Sequence, residues 1–206
     1  MTRTQQSPDG RKLALSSETG QIYVFDLEAS ALAATYTSHA MTVRALAWSP
    51  DSSLLLSASD DKRLVLHDVR SAPGGTVASF TGHASWVLSA DISPDGRFGL
   101  SGCVPPSPSV SPSLSSYIPL LFSLSYLIHT TADSANPPLA HSSADKTIKV
   151  WDIAARAAVA TVQDTGEVWG VSWRPRIAGS AGGGAFVSAG EDGVVRWWRG
   201  AGAGAA

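Results

Sequence analysis

The sequence predicts an all-β protein built from several copies of one unit of short strands. The phrase Ser-Pro-Asp-Gly/Ser recurs every 42 or 44 residues, at 7–10, 49–52 and 93–96. An alternating apolar strand closes each unit, at 21–26, 63–68, 147–152 and 194–199. The first three copies of this strand end in Asp, and the fourth ends in Arg199. A third marker, a His after Ser or Gly, stands at 39 and 83 with the same 44-residue offset. A period near forty residues is typical of repeated β units.

Within one unit, turn residues divide the strands. The segments ALAWSP, LLLSAS and RLVLHD are three short apolar strands in succession, separated by Pro, Asp and Ser. An Asp stands at a tight turn seven residues before the end of the closing strand, as Asp61, Asp145 and Asp192. Asp is favoured at such turns because its carboxylate accepts backbone hydrogen bonds.

Composition and charge exclude several classes of protein. With 44% hydrophobic and 16% charged residues, the composition of the 206-residue chain is that of a folded protein and excludes an intrinsically disordered one. The net charge is −2 without a long basic run, so no direct nucleic-acid binding is expected. One cysteine, Cys103, excludes a disulfide within the chain and indicates a reducing compartment. No secretory signal is evident, and the apolar run 117–128 is too short to span a membrane.

The period and the Gly-His…Trp-Asp phrase resemble the WD repeat, in which each unit forms one four-stranded blade of a β-propeller. The resemblance implies a buried network in each blade, made of the turn Asp, the His, a Ser or Thr and the Trp. One network is expected to contain His83, Asp145 and Trp151. A second contains His39, Ser57 and Asp61, with His67 in place of the Trp. A third, without an obvious His, contains Ser188, Asp192 and Trp198.

The same His, Ser and Asp residues also suggest a hydrolase. We favour the structural interpretation, because the trio recurs once per blade and a catalytic triad does not. A metal site is not predicted, since no cluster of three ligands is evident. The chain is therefore expected to be no enzyme and to bind no cofactor.

Residues 103–142 interrupt the repeat with a Ser- and Pro-rich segment. Deleting them joins Gly102 to Ser143, places Ser101 four residues before Asp145, and so adds Ser101 to the expected network. The deletion also shortens the gap between Asp68 and Asp152 from 84 to 44 residues. We interpret the segment as a translated intron; the alternative is a long loop between the second and third strands of a blade. In either case the segment is expected to be poorly ordered. Propeller blades are expected on both sides of it, at 1–102 and 143–199, and the tail 200–206 is expected to be disordered.

Two longer phrases, HAMTVRALAWSPDSSLLLSASDDK and GHASWVLSADISPDG, resemble the small WD-repeat subunits of the Superkiller (Ski) complex. In animals and plants this family is also found in the polymerase-associated factor complex. The resemblance implies a seven-bladed, non-catalytic parent, of which about four blades are present and some three N-terminal blades are absent, as in a truncated gene model. It further implies a tetratricopeptide-repeat scaffold and a helicase as partners, roles in 3′–5′ mRNA decay and transcription elongation, and cytoplasmic and nuclear localisation.

The resemblance also implies a partner surface beside Val43, Val87 and Val168, which begin the innermost strands. The expected contact residues flank these valines or precede the turn Asp: Thr42, Arg44, Asp60, Trp86, Leu88, Glu167, Trp169 and Glu191. Trp86, Trp169 and Arg44 are favoured, because Trp and Arg dominate interface energetics. The alternative for both Trp residues is core packing, which we expect for Trp48 and Trp173.

Four functions are compatible with the sequence. The first is a protein-interaction scaffold, either of the Ski type or as a generic WD-repeat adaptor in another complex. The second is a nucleic-acid-binding propeller, which would need a basic face with exposed aromatic residues. The third is a hydrolytic propeller, for which no catalytic cluster outside the repeat is evident. The fourth is a defective product that lacks blades.

Overall fold

The structure is a computed structural model that describes residues 3–70, 75–104, 146–175 and 185–199. These residues form fifteen β-strands in four antiparallel sheets and no helix. The first sheet holds β1 (Thr4–Gln6), β2 (Lys12–Ser16), β3 (Ile22–Asp26) and β4 (Ala31–Tyr36). The second holds β5 (Val43–Trp48), β6 (Leu54–Ser59), β7 (Leu64–Asp68) and β8 (Gly75–Phe80). The third holds β9 (Trp86–Ile92), β10 (Phe98–Val104), β11 (Thr147–Asp152) and β12 (Ala157–Gln163). The fourth holds β13 (Val168–Trp173), β14 (Ala185–Gly190) and β15 (Val195–Arg199).

Within each sheet, every strand pairs with the strand that follows it in the chain, as in a propeller blade. The Ser-Pro-Asp phrases form the turns between the first and second strands of the first three sheets. In one of them, Ser7 Oγ donates to Asp9 Oδ1 over 2.6 Å and Gly10 has a φ of 74°. The sequence prediction of an all-β fold with about four propeller blades is confirmed.

The sheets pack side by side in one repeated way. The third strand of a sheet contributes two buried apolar residues to a cluster that also contains residues of the first strand of the next sheet. Ile22 and Val24 lie in one cluster with Val43, Leu46 and Trp48. The same arrangement joins the second sheet to the third and the third to the fourth, through Leu64, Leu66, Val87 and Ile92, and through Ile148, Val150, Val168, Val171 and Trp173. Burial of each such side chain contributes about 1.5–3 kcal/mol. The expected packing of Trp48 and Trp173 between blades is confirmed.

The inserted segment lies between β10 and β11, the second and third strands of the third sheet. In this sheet Ser101 pairs with Lys149, as Ser57 pairs with Val65 and Ser188 with Arg196. β10 continues through Cys103 and Val104, the first two residues of the segment 103–142. Both side chains are buried, and they pair with Val87 and Trp86. Residues 105–145 and the tail 200–206 lie outside the described residues, so their expected disorder stays a prediction.

Candidate partner-binding surface

The second sheet contains a hydrogen-bonded network around His39. His39 Nδ1 lies 2.9 Å from Asp61 Oδ2, and its Nε2 lies 2.7 Å from Ser57 Oγ. The backbone N–H of Ala40 also donates to Asp61 Oδ2, over 3.1 Å. Burial lowers the pKa of His39, and the hydrogen bond with Asp61 opposes this shift. The network fixes the segment before β5 against the turn after β6.

His67 completes this network at the position where the repeat usually carries Trp. Its Nε2 lies 3.1 Å from Ser57 Oγ, and its ring centroid lies 4.5 Å from that of Tyr36. The side chain is fully buried. Burial lowers the pKa of His67 to about 3, and the nearby His39 adds to this shift. His67 is therefore neutral at physiological pH.

The third sheet brings together the residues expected for its network. His83 Nε2 lies 2.7 Å from Ser101 Oγ, and Trp151 Nε1–H donates to Ser101 Oγ over 2.9 Å. Trp151 also packs edge-on against His83, with ring centroids 6.0 Å apart. Asp145, the fourth expected member, lies outside the described residues.

The fourth sheet has an acidic residue where the other networks have His. Trp198 Nε1–H donates to Ser188 Oγ over 2.9 Å, and Ser188 O–H donates to Asp164 Oδ2 over 3.0 Å. Asp164 stands four residues before Val168, as His39 and His83 stand before Val43 and Val87. The sequence did not predict Asp164 as a network member, because the resemblance places a His at this position.

Arg196 compensates for the extra carboxylate of the fourth sheet. Its guanidinium lies 2.9 Å from Asp164 Oδ1 and 2.6 Å from Asp192 Oδ2. The hydrogen bond from Arg196, followed by one from Thr165, holds the pKa of the Asp192 carboxyl well below its usual range. Two carboxylates at this turn would repel each other, and the cation between them removes that repulsion.

Each network has its His or Asp at one edge of the sheets, where first strands begin and second strands end. From there it extends through a Ser on the second strand to a Trp or His on the third strand. The predicted partner residues lie at the same edge, because antiparallel neighbours bring those positions together. One group of contacting side chains there contains Arg44, Asp60 and Trp86. Arg44 donates three hydrogen bonds of 2.6–3.0 Å to the Asp60 carboxylate, and its guanidinium lies 6.0 Å from the centroid of the Trp86 ring.

Asp60 differs from the other members of this group in its accessibility. It is only 4% exposed, whereas the Arg44 side chain is 29% exposed and Trp86 is half-buried. Asp60 therefore contributes by holding Arg44 in place and presents little surface of its own. The fork-shaped pairing of guanidinium and carboxylate fixes the orientation of Arg44 beside the indole ring.

The fourth sheet contributes Glu167, Trp169 and Glu191 to this edge. Trp169 Nε1–H donates to Glu167 Oε2 over 3.3 Å, so both half-buried side chains are held together. Burial raises the pKa of Glu167, and the negative charge of the exposed Glu191 adds to the shift. Of the remaining predicted residues, Thr42 donates to the backbone oxygen of Glu18 over 3.1 Å, and Leu88 is half-buried.

The described part of the chain gives no support for a metal centre or a membrane span. Within it, no group of three His, Cys, Asp or Glu residues is arranged to hold a metal ion. None of its segments forms a helix of the length and hydropathy that a bilayer crossing requires.

Successive antiparallel sheets, each with a network of His or Asp, Ser and Trp or His, are typical of WD-repeat proteins. The family model "WD domain, G-beta repeat" matches residues 30–68 and 74–104. These segments cover β4–β7 and β8–β10, so each match begins at or near an outer strand and continues into the next sheet. Proteins with this repeat generally act as non-catalytic scaffolds.

Several curated WD-repeat proteins are similar to part of the chain. The meiotic recombination protein rec14 of Schizosaccharomyces pombe is 37% identical over 65 residues, which cover 32% of this chain and 22% of rec14. The U5 small nuclear ribonucleoprotein 40 kDa protein of Bos taurus is 34% identical over 70 residues, covering 34% and 20% of the two chains. The human WD repeat and SOCS box-containing protein 1 is 37% identical over 84 residues, covering 40% and 20%. The alignments thus span about a fifth of the length of these relatives.

Proposed function

We propose that the chain is a protein-interaction scaffold that binds its partner at the edge formed by Arg44, Trp86 and Trp169. The observation that carries the proposal is the pairing of Arg44 with Asp60 beside the half-buried Trp86. A large aromatic ring and a guanidinium that are already oriented lose little conformational entropy on binding. Trp and Arg are also the residue types most often found at the energetic centre of interfaces.

The specific partners that we propose come from the resemblance to Ski-complex subunits. In this role the chain docks on a tetratricopeptide-repeat scaffold beside a helicase and supports 3′–5′ mRNA decay, with a second role in transcription elongation. The names of two relatives, a meiotic recombination protein and a small nuclear ribonucleoprotein component, support a nuclear location. The cytoplasmic location rests on the Ski resemblance alone.

Affinity purification of the full chain followed by mass spectrometry tests this proposal. We expect a tetratricopeptide-repeat protein and a helicase among the co-purifying proteins, and their amounts should fall when Arg44 and Trp86 are both replaced by Ala. Recovery of a different stable complex would replace the Ski assignment with that of a generic adaptor. Equal recovery with the double variant would contradict the proposed surface.

A nucleic-acid-binding propeller is the alternative, and the charge at this edge disfavours it. Glu167 and Glu191 add two carboxylates beside Trp169, and Asp60 neutralises Arg44. Phosphate backbones are held by unneutralised Lys and Arg, and such binding weakens steeply with salt. Salt-dependent binding of single-stranded RNA by the purified chain would favour the alternative.

A further inference from the structure

Ser57 of the second sheet has two histidine neighbours, because His67 occupies the Trp position of the other networks. The Nε2 atoms of His39 and His67 lie 2.7 and 3.1 Å from Ser57 Oγ. In the third and fourth sheets the corresponding residues are Trp151 and Trp198, whose indole N–H can only donate and cannot take up a proton. The second sheet alone, among the networks described, thus has a titratable residue at this position.

The hydrogen bonds determine which nitrogen atoms carry protons when both histidines are neutral. Asp61 accepts from His39 Nδ1, so that nitrogen carries the hydrogen and His39 Nε2 accepts from the Ser57 hydroxyl. Ser57 Oγ then accepts from His67, so the hydrogen of His67 is on Nε2. His67 Nδ1 is left as a buried nitrogen without a hydrogen-bonding partner among the described residues.

The two histidines differ in their capacity to take up a further proton. His39 can accept one on Nε2 if the Ser57 hydroxyl turns to the backbone oxygen of Val65, which lies 3.1 Å from Ser57 Oγ. Asp61 then neutralises the imidazolium. His67 can accept one only on Nδ1, where the new N–H would be buried without an acceptor. An unpaired buried charge of this kind is costly, so the sheet must open before His67 is protonated.

The charged and titratable groups around the pair do not provide that acceptor. On the His39 side they are Asp61, bonded to Nδ1, and Arg63, whose positive charge disfavours the imidazolium. On the His67 side they are His39 and the ring of Tyr36, whose hydroxyl donates to the backbone oxygen of Asp68. The hydroxyl of Ser38 lies 3.5 Å from His67 Nε2 and so serves the nitrogen that already has partners.

We propose that His67 makes the second sheet an acid-sensitive joint, which releases Asp60 and Arg44 from the partner surface when His67 takes up a proton. His67 is hydrogen-bonded to Ser57 on β6, and Asp60 directly follows this strand. Separation of β6 from β7 therefore frees the Asp60 carboxylate, which orients Arg44. The link to partner binding rests on the function proposed above. The acid-sensitive opening itself does not depend on any partner.

Hydrogen exchange of the full chain, followed by mass spectrometry between about pH 7.5 and pH 5, tests the joint. In the unfolded chain His titrates near pH 6.5, so below that value each buried neutral His increases opening about tenfold per pH unit. His67→Gln keeps an N–H donor but does not titrate. Relative to this variant, the wild type should therefore open residues 54–68 about equally above pH 6.5, and about tenfold more for each unit by which the pH falls below that value. The segment 185–199, which contains no His, is the internal reference.

A second variant, His67→Trp, installs the residue of the third and fourth sheets and provides the same comparison if the Gln variant is poorly folded. Both variants should show a shallower pH dependence than the wild type in residues 54–68 and no change in 185–199. Identical pH dependence in all three proteins would overturn the joint. This measurement contains no partner, so a negative result would contradict the joint without contradicting the proposed scaffold function. Conversely, failure of the chain to capture a partner at pH 7.5 would contradict the scaffold function without contradicting the joint.

Discussion

Trp151 donates its indole N–H to Ser101 Oγ over 2.9 Å although the two residues are 50 positions apart in the chain. In the fourth sheet, Trp198 and Ser188 make the same hydrogen bond at the same length across 10 positions. The difference of 40 residues is the length of the segment that interrupts the repeat. The third sheet therefore forms as though the segment were a connection added between β10 and β11.

This relationship predicts the effect of removing the segment. Deletion of 103–142 leaves Ser101 four residues before Asp145, and the connection becomes about tenfold shorter. The lower entropic cost of closing it should stabilise the protein by about 2 kcal/mol. Denaturant unfolding of the two chains measures the difference. A matched deletion of 105–144, which keeps the buried Cys103 and Val104, should be at least as stable; unfolding of both shortened chains would contradict the prediction.

The origin of the segment is tested separately, by sequencing transcripts. The intron interpretation expects the dominant message to lack the codons for 103–142 or a closely similar stretch. A dominant message that retains them would favour a long loop between the second and third strands of the blade.

The ionic network of the fourth sheet predicts a compensating pair of substitutions. Arg196→Val leaves the buried Asp164 carboxylate without its cation and should cost about 2–3 kcal/mol, at the low end for a buried pair because Arg196 is partly exposed. Asp164→His alone places an imidazole beside Arg196 and should also destabilise. The double variant has His and Val at the positions that His39 and Val65 occupy in the second sheet. It should therefore recover most of the lost free energy of unfolding, measured by denaturant unfolding. Additive losses would show that the two residues are not coupled.

Asp91 connects the third and fourth sheets and predicts a pH dependence. Its Oδ2 accepts from the backbone N–H of Trp173 over 2.8 Å and from the Ser172 hydroxyl over 3.1 Å. Burial is the largest influence on its pKa and raises it. The folded state thus binds the Asp91 proton more tightly than the unfolded state, and ionisation of Asp91 reduces stability as pH rises.

Asp91→Asn should therefore be more stable than the wild type at pH 7, since it keeps a carbonyl acceptor without the charge. The advantage should shrink as pH falls through the raised pKa and vanish below about pH 4, where Asp is protonated in both states. Thermal unfolding across this range is the measurement. Asp91→Ala is the control: it loses the acceptor and should be destabilised by about 1–3 kcal/mol. An Asn variant less stable than wild type at pH 7 would be the contrary result.

Lys62 predicts a stabilising substitution at the turn after β6. Its φ is 71°, and the equivalent positions in the first and fourth sheets are occupied by Gly20 and Gly193 with φ of 84° and 69°. A side chain in this left-handed region costs about 1–2 kcal/mol, which the greater flexibility of unfolded Gly offsets in part. Lys62→Gly should therefore raise the free energy of unfolding by about 0.5–1 kcal/mol. Lys62→Ala keeps the strained backbone and should give no gain; equal gains from both variants would refute the explanation.

The sequence was sufficient to predict the repeated sheets and two of the networks because both depend on spacing within one unit. His39, Ser57 and Asp61 lie where the repeat places them, and so do His83 and Ser101. The roles of Asp164 and Asp60 were missed because they depend on neighbouring strands. Arg196 on β15 makes Asp164 tolerable at a His position, and Arg44 on β5 draws Asp60 out of solvent. Both pairs join a residue on a strand to one in a connecting segment, so spacing within one repeat does not show them.

The orientation of Trp86 predicts a selective effect on partner binding. The ring is half-buried at the start of β9 beside the Arg44 guanidinium, so truncation removes exposed aromatic surface and little of the core. Trp86→Ala should weaken capture of the partner by roughly 30-fold, the equivalent of about 2 kcal/mol at an interface centre, while the melting temperature changes little. Trp48→Ala is the matched control, because that indole is buried and donates to the backbone oxygen of Gln5. It should destabilise the fold by about 3–5 kcal/mol. A quantitative pull-down at wild-type strength with Trp86→Ala would place the partner surface elsewhere.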